Sequence, residues 1–335
     1  MGWYSAVGRP LFFALPPEAA HSVARAALSL PLPWARIGHA SDDPALTTTL
    51  AGIPLRNPIG LAAGFDKTCS HLDALGALGF GYVVGGTITR QPRRGNPRPR
   101  IVRYPSRGSM SNAMGLPNPG ADRAAADMRR RARTVAPRLI SLADEPLDDA
   151  LRALELLEAH ADGIELNASC PNVSWGRDRD NEAHLRELVA AITARTPKPV
   201  FVKLPPFTTQ VQRDVVLALV SVAQESGASG LTCSNTRPVR DARLSVGGGG
   251  LSGRALFERT PAIVSEVQAA TGGALPINAC GGVSSGADVL ACLEAGATTV
   301  QIYTTLIYRG PRVAGSLTRE LSEALRARQR VLPSR

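Results

Sequence analysis

Residues 163–172 read Gly-Ile-Glu-Leu-Asn-Ala-Ser-Cys-Pro-Asn, and this stretch decides the fold. Gly163 to Leu166 is a short, largely apolar run of the kind a strand shows when both its faces are covered. Polar residues follow at once, and Pro171, with no N–H to give, ends the ladder. Asn167, Cys170 and Asn172 are a chemical set as well as a turn. Carboxamides can read a planar ring that carries carbonyl and N–H groups. A thiol can move a proton or attack carbon. A plain strand-to-turn junction would also use such residues, so the weight of the stretch comes from its repetition in form along the chain.

Eight such runs occur, at 59–63, 82–85, 138–142, 163–168, 200–204, 230–233, 276–279 and 299–303, with helical stretches between them. Eight β/α repeats predict an α/β fold, a closed (β/α)8 TIM barrel rather than an open sheet. Long segments follow the second run (87–136) and the sixth (235–274). In a compact domain such segments are usually active-site loops or lids. Lys67 and Thr87 follow the first two strands, and Ser141 ends the third. Asn167, Cys170 and Asn172 follow the fourth, Lys203 ends the fifth, and Ser234, Asn235 and Thr236 follow the sixth. Gly281 and Gly282 follow the seventh, and Tyr303 and Thr304 end the eighth. All fall at strand C-termini, the rim where barrels build active sites.

Lysine usage sharpens this. Of 38 Lys and Arg residues only Lys67, Lys198 and Lys203 are lysines. A compact ammonium and a guanidinium are not interchangeable in a tight pocket, and two of the three lysines sit at strand ends. Lys198, between Pro197 and Pro199, reads as a solvated loop residue. The run Cys280-Gly281-Gly282-Val283-Ser284-Ser285-Gly286 leads into a helix at 287–295, with glycines that allow close backbone approach and a helix N-terminus that favours an anion. Gly247 to Gly250 reads as a flexible lid. A phosphate near strands seven and eight, with Lys203 across the barrel and Thr87 near strand two, would suit FMN.

The first forty residues differ from the rest. Helices are predicted at 7–15 and 17–30, and Trp3, Tyr4, Phe12, Phe13 and Trp34 concentrate five of the chain's fifteen aromatics there. Two readings stand: a helical cap packed on the barrel, or an interfacial pair whose apolar face meets lipid.

The bulk numbers bound the class. The chain has 335 residues, 44% apolar and 20% charged, enough for one large barrel with a small appendage. Its five cysteines have no metal spacing, so neither a disulfide framework nor a metal site is expected. A net charge of +10 invites nucleic acid, but with 4% aromatics and no binding motif we expect none; an anionic membrane surface or an acidic substrate accounts for the charge as well. No apolar stretch reaches membrane-spanning length, and no signal peptide is read at the N-terminus.

The residues resemble the dihydroorotate dehydrogenase family over nearly the whole chain. Asn57-Pro58-Ile59-Gly60-Leu61-Ala62-Ala63-Gly64-Phe65-Asp66-Lys67 resembles its first-strand signature. Gly95 to Arg100 and Asn112 to Gly115 resemble its substrate lid; Gly250 to Gly253 and Gly281 to Gly286 resemble its flavin loops; Val300 to Thr304 resembles its last strand. Pro17 to His21 resembles the start of the N-terminal helix of the membrane-associated, quinone-using class 2.

The resemblance implies oxidation of dihydroorotate to orotate in pyrimidine biosynthesis through FMN, with electrons passed to a membrane quinone, by a peripheral protein on the cytoplasmic side of the cell membrane. It implies Cys170 as catalytic base, and Lys67, Asn112, Asn167, Asn172, Asn235 and Thr236 as substrate contacts. It implies FMN contacts at Ala63, Gly64, Thr87, Ser141, Asn167, Lys203, Ser234, Gly253, Gly281, Gly282, Tyr303 and Thr304, and a quinone path at His21, Arg103 and Tyr303. Residues 1–45 would be the membrane- and quinone-associated helical extension and 46–335 the FMN-binding barrel. Two departures stand out. Cys170 occupies the class 2 serine position, as in soluble class 1, and Ser141 replaces a family asparagine, with Ala143-Asp144-Glu145-Pro146 in place of Gly-Lys-Asn. They leave room for an FMN oxidoreductase acting on another dihydropyrimidine or a natural product. A third reading is a non-catalytic barrel that binds or scaffolds.

Overall fold

The computed structural model describes residues 3–39, 43–130, 136–168 and 181–331. In chain order the helices are α1 Arg9–Ala14, α2 Pro17–Leu28, α3 Trp34–Gly38, α4 Leu72–Ala77, α5 Ala121–Arg129, α6 Leu147–Leu157, α7 Asn181–Thr193, α8 Gln210–Glu225, α9 Thr260–Ala270, α10 Gly286–Glu294, α11 Thr304–Arg309 and α12 Val313–Val331. The strands are β1 Thr48–Leu50, β2 Ile53–Leu55, β3 Ile59–Leu61, β4 Tyr82–Ile88, β5 Ile101–Tyr104, β6 Ser109–Asn112, β7 Arg138–Ala143, β8 Gly163–Asn167, β9 Val200–Leu204, β10 Gly230–Cys233, β11 Arg237–Arg240, β12 Gly248–Gly253, β13 Ile277–Cys280 and β14 Thr299–Ile302.

β3, β4, β7, β8, β9, β10, β13 and β14 close into a parallel barrel, with β14 returning to β3 through Val300 opposite Ile59. These are the eight runs read from the sequence. Each is covered inside and out, which is why apolar residues run on without alternation. Gly60 is required here: a Cβ on it would lie 2.3 Å from the Tyr82 ring, which fills the barrel interior.

The floor is a hairpin the strand runs do not announce. β1 and β2 pair antiparallel across Ala51 and Gly52, both at positive φ, as a tight hairpin turn requires. Leu50, Ile53 and Leu55 pack with Tyr82, Leu139 and Phe201 and close that end of the barrel.

Among the described residues the two long segments, read as loops, carry strands. They supply β5 and β6, then β11 and β12, which join in one antiparallel sheet in the order β11-β12-β6-β5. Gly248 to Gly250 are therefore strand residues, not a flexible lid. Gly249 has a structural reason: a Cβ there would meet the Asn112 carbonyl oxygen at 2.2 Å. Lys198 is not simply solvated either, since its Nζ donates to the Ala161 carbonyl at 2.9 Å.

The predicted helix at 7–15 is a π-helical turn, Tyr4–Gly8, running into α1, and α3 was not foreseen. Glu18, His21 and Arg25 on one face of α2, and Ser29 at its C-cap, are spaced by about one helical turn. His21 Nε2 bonds the Phe65 carbonyl at 2.9 Å, Arg25 donates to Thr68 Oγ1 at 3.1 Å, and Ser29 Oγ lies 2.9 Å from His71 Nε2. Glu18 accepts from Arg98 and Arg100, in the segment that precedes β5. No helix among the described residues is long and apolar enough to cross a membrane.

Candidate active site

One cavity opens where the C-terminal ends of the barrel strands meet the antiparallel sheet. Its walls include Lys67, Asn112, Asn167, Asn235 and Thr236, all read from the sequence as substrate contacts. They also include Ala63, Gly64, Thr87, Lys203, Ser234, Gly253, Gly281, Gly282, Tyr303 and Thr304. Cys170 and Asn172 lie outside the described residues. Ser141 is fully buried and lies off the cavity wall, its Oγ 3.0 Å from Thr87 Oγ1. The Asp144 and Glu145 that follow it are taken up in packing: Asp144 pairs with His184 at 2.6 Å, and Glu145 accepts from the Arg90 N–H.

The polar wall is pre-assembled. Asn167, 8% exposed, donates to Thr87 Oγ1 at 2.9 Å and accepts from Asn235 Nδ2 at 3.1 Å. Asn235 Oδ1 in turn accepts the Thr236 N–H at 2.7 Å. These bonds fix which edge of each amide faces the cavity, because a buried amide left unpaired is costly. Met110, Met114, Leu116 and Pro117 supply apolar wall from the side of the antiparallel sheet and the segment after it, fitting a planar ring with polar edges.

Two cations face in. Lys67 donates to the Gly64 carbonyl, and burial, then the nearby Arg25, pull its pKa down to about 8. Lys203 is 5% exposed, its Nζ 3.6 Å from Glu165 Oε1. Glu165, fully buried on β8, accepts from Thr232 Oγ1 at 3.0 Å and Gln301 Nε2 at 3.1 Å. Gln301 and Cys280 also line the cavity, and sequence reading missed them together with Glu165. The signal was present. Each is a polar residue two places before or after a strand-end site residue, hence on the same inward face: Glu165 before Asn167, and Gln301 before Tyr303.

The cavity does not reach the N-terminus of α10, which the sequence reads as favouring an anion. The N-terminus of α10 is already filled: Asp288 accepts the Ser284 and Ser285 N–H groups, Ser285 caps back, and Glu320 accepts the Gly286 N–H. The cavity instead reaches Gly282, Thr304 and Thr305 at the start of the short α11, the element barrels commonly add for phosphate. Gly253 and Gly282 are needed for loop-on-loop packing. Both have positive φ, and a Cβ on Gly282 would lie 2.6 Å from the Gly253 carbonyl oxygen.

His21 and Arg103 stand off the cavity wall but connect to it. His21 packs edge-on against Phe65 at 5.4 Å between centroids, and Phe65 against Tyr303 at 5.8 Å. Burial, then the charge on Lys67, pull the His21 pKa down to about 4, so the ring is neutral. Arg103 donates to the Phe12 and Leu15 carbonyls at the C-terminal end of α1 and stacks on the Phe13 ring at 4.6 Å. Trp3, Val7, Leu11, Leu15 and Val23 leave an apolar surface exposed on this helical part.

The residues fit a flavin. Gln301 Oε1 is buried on a cavity-lining residue without a hydrogen-bond partner, an acceptor that a ring N–H would satisfy. Lys203 adds a cation at the same wall.

Comparison with known proteins agrees with this geometry. The family profile described as dihydroorotate dehydrogenase matches residues 45–325. The dihydroorotate dehydrogenase (quinone) of Acidithiobacillus ferrooxidans is 38% identical, covering 95% of this chain and 93% of that protein. That of Methylibium petroleiphilum is 36% identical over 94% of this chain and 98% of its own. The crystal structure of the Eimeria tenella enzyme in complex with ferulenol superposes with a TM-score of 0.82 at 30% identity, covering 93% of this chain and 92% of that one.

Proposed function

This chain belongs to the dihydroorotate dehydrogenase family, and on that premise we propose that its barrel mouth binds FMN and oxidises dihydroorotate to orotate, electrons leaving to a membrane quinone. The observation that carries the reading is the convergence of Lys67, Asn112, Asn167, Asn235 and Thr236 on the cavity that Lys203, Gln301 and the start of α11 also line. FMN, when bound, supplies the two-electron acceptor that no side chain provides.

The side chains divide the remaining work. The Lys67 ammonium pairs with the substrate carboxylate, and Asn112 shares that end. Asn167 and Asn235, locked in orientation by their mutual bond, read the ring amides together with Thr236 and Asn172. Cys170, read from the sequence, accepts the C5 proton as its thiolate. Lys203, paired with Glu165, would present its ammonium to a bound flavin. Thr304, Thr305 and Gly282 would hold the phosphate. His21, Phe65 and Tyr303 line the way from the helical segment to the cavity, with Arg103 tying α1 to the antiparallel sheet.

The exposed Trp3, Val7, Leu11, Leu15 and Val23 rest on the cytoplasmic face of the cell membrane. Such a surface delivers a long-chain quinone from lipid without any spanning helix.

The test is anaerobic. Protein loaded with FMN is mixed with dihydroorotate, and the flavin absorbance is followed in stopped flow. Rapid bleaching with orotate formed in equal amount supports the assignment. A flavin that dihydroorotate leaves oxidised, while another dihydropyrimidine reduces it, moves the substrate elsewhere. A chain that binds no flavin overturns the reading.

A further inference from the structure

A continuous polar path crosses the barrel interior below the cavity. Thr299 donates to Asn278 Oδ1 at 2.6 Å, Asn278 Nδ2 donates to Thr232 Oγ1 at 3.2 Å, and Thr232 donates to Glu165 Oε2 at 3.0 Å. Gln301 donates to the same oxygen, and Glu165 Oε1 stands 3.6 Å from Lys203 Nζ. Glu165, Thr232, Asn278 and Thr299 are each 0% exposed. A carboxylate in such a place keeps its charge only with partners on all sides. Its two oxygens are used unequally. Oε2 takes both neutral donors, and Oε1 takes no hydrogen bond and faces the ammonium.

We propose that Glu165 is a positioning residue: it holds Lys203 protonated at the cavity wall and, by balancing its charge, sets how strongly the site favours reduced flavin. The inference rests on the FMN reading above. A buried lysine without a counter-charge tends to release its proton. The approach of Glu165 Oε1 to 3.6 Å supplies Lys203 with that counter-charge, so the pair presents little net charge to the ring. Among the described residues the titratable groups around Glu165 are few: Lys203 on β9, Cys280 on β13 and Tyr82 on β4. Burial raises both the Cys280 thiol and the Tyr82 phenol, so neither titrates near neutrality. Thr232 and Gln301 face it without titrating, and β3 offers only Ile59, Gly60 and Leu61.

The sign follows. In Glu165→Gln the balancing charge is gone. At low pH Lys203 remains an ammonium, the site is more positive, and the midpoint potential of bound FMN shifts above that of the parent. At higher pH Lys203 is neutral with oxidised flavin and regains its proton as the ring becomes anionic. One additional proton then accompanies each pair of electrons, so the potential falls more steeply with pH than in the parent.

The experiment is a spectroelectrochemical titration of FMN-loaded parent, Glu165→Gln and Glu165→Asp from about pH 6 to 9, the window set by neutral and depressed lysine pKa values. The expected result is a raised potential at low pH and a steeper slope for Glu165→Gln, with Glu165→Asp returning the curve toward the parent. Superimposable curves for parent and Glu165→Gln overturn the proposal while leaving the flavin reading intact; a parent that binds no FMN overturns that reading instead. Should Glu165→Gln fail to fold, Glu165→Met removes the same charge with a flexible apolar side chain of similar size. A raised potential at low pH supports the proposal, and a curve superimposable on the parent's contradicts it.

Discussion

The barrel mouth and the N-terminal helices share one border, the turn at 64–71, and hold it by different means. On the barrel side, Asn167, Thr87, Glu165 and Lys203 belong to strands of a closed ladder and bond one another below the solvent. On the helix side, α2 reaches the turn through His21, Arg25 and Ser29, three contacts made by one helix face. It is also held by the Glu18 pairs with Arg98 and Arg100 and by Leu28, which is buried in the main core. The difference teaches a division of labour. Groups that must be fixed to a fraction of an ångström stand on the ladder. The N-terminal helical part, which we propose meets a lipid-borne acceptor, stands outside that ladder and leaves apolar surface exposed.

The largest effect that separates the two regions should come from removing residues 3–39. Turnover with a long-chain quinone should be lost, because the apolar face and His21 go together. FMN should stay bound, and reduction by dihydroorotate should survive with weakened substrate binding, since the turn that carries Lys67 loses its three α2 contacts. Rapid kinetics of each half-reaction would check this. Equal loss in both halves would erase the division.

Asn167→Ala strikes the barrel side alone. Two bonds that orient the amide wall disappear, and a misplaced substrate typically costs about a hundredfold in rate. Reoxidation by quinone should be unchanged in stopped flow.

The two regions also differ in pH response. Lys67 has a pKa pulled down to about 8, and a carboxylate needs its charged form. The dissociation constant for dihydroorotate should therefore be flat below that pH and rise about tenfold per unit above it. His21, at about 4, is neutral throughout, so the quinone step should show no His21 titration near neutrality.

The smallest effect is Arg25→Ala. Losing one hydrogen bond to Thr68 should raise the dissociation constant for dihydroorotate about fivefold, the scale of ~1 kcal/mol, with flavin content unaltered.

The same contrast governs what could be read from the chain. The eight barrel strands were legible because burial on both faces leaves unbroken apolar runs. The antiparallel sheet was not: β12 is Gly-Gly-Gly-Leu-Ser-Gly, with few side chains to alternate. The floor hairpin has strands of three residues, too short for a periodic signal. Site residues at strand ends were found because chemistry in barrels gathers there. Glu165 and Gln301 were missed because a polar residue inside an apolar run looks like noise until its inward phase is counted. The N-terminus of α10 reads as open to an anion until Ser285 and Asp288 are seen to form a capping box that uses those N–H groups. Cys170 and Asn172 lie outside the described residues, and their roles stand on sequence alone.

The most direct test of the account is steady-state dihydroorotate oxidation by the full-length protein with FMN, run in parallel with a long-chain quinone in lipid vesicles and with fumarate. The account predicts orotate formation that depends on quinone, is enhanced by the vesicles, and is negligible with fumarate. Turnover with fumarate that equals or exceeds that with quinone would contradict it.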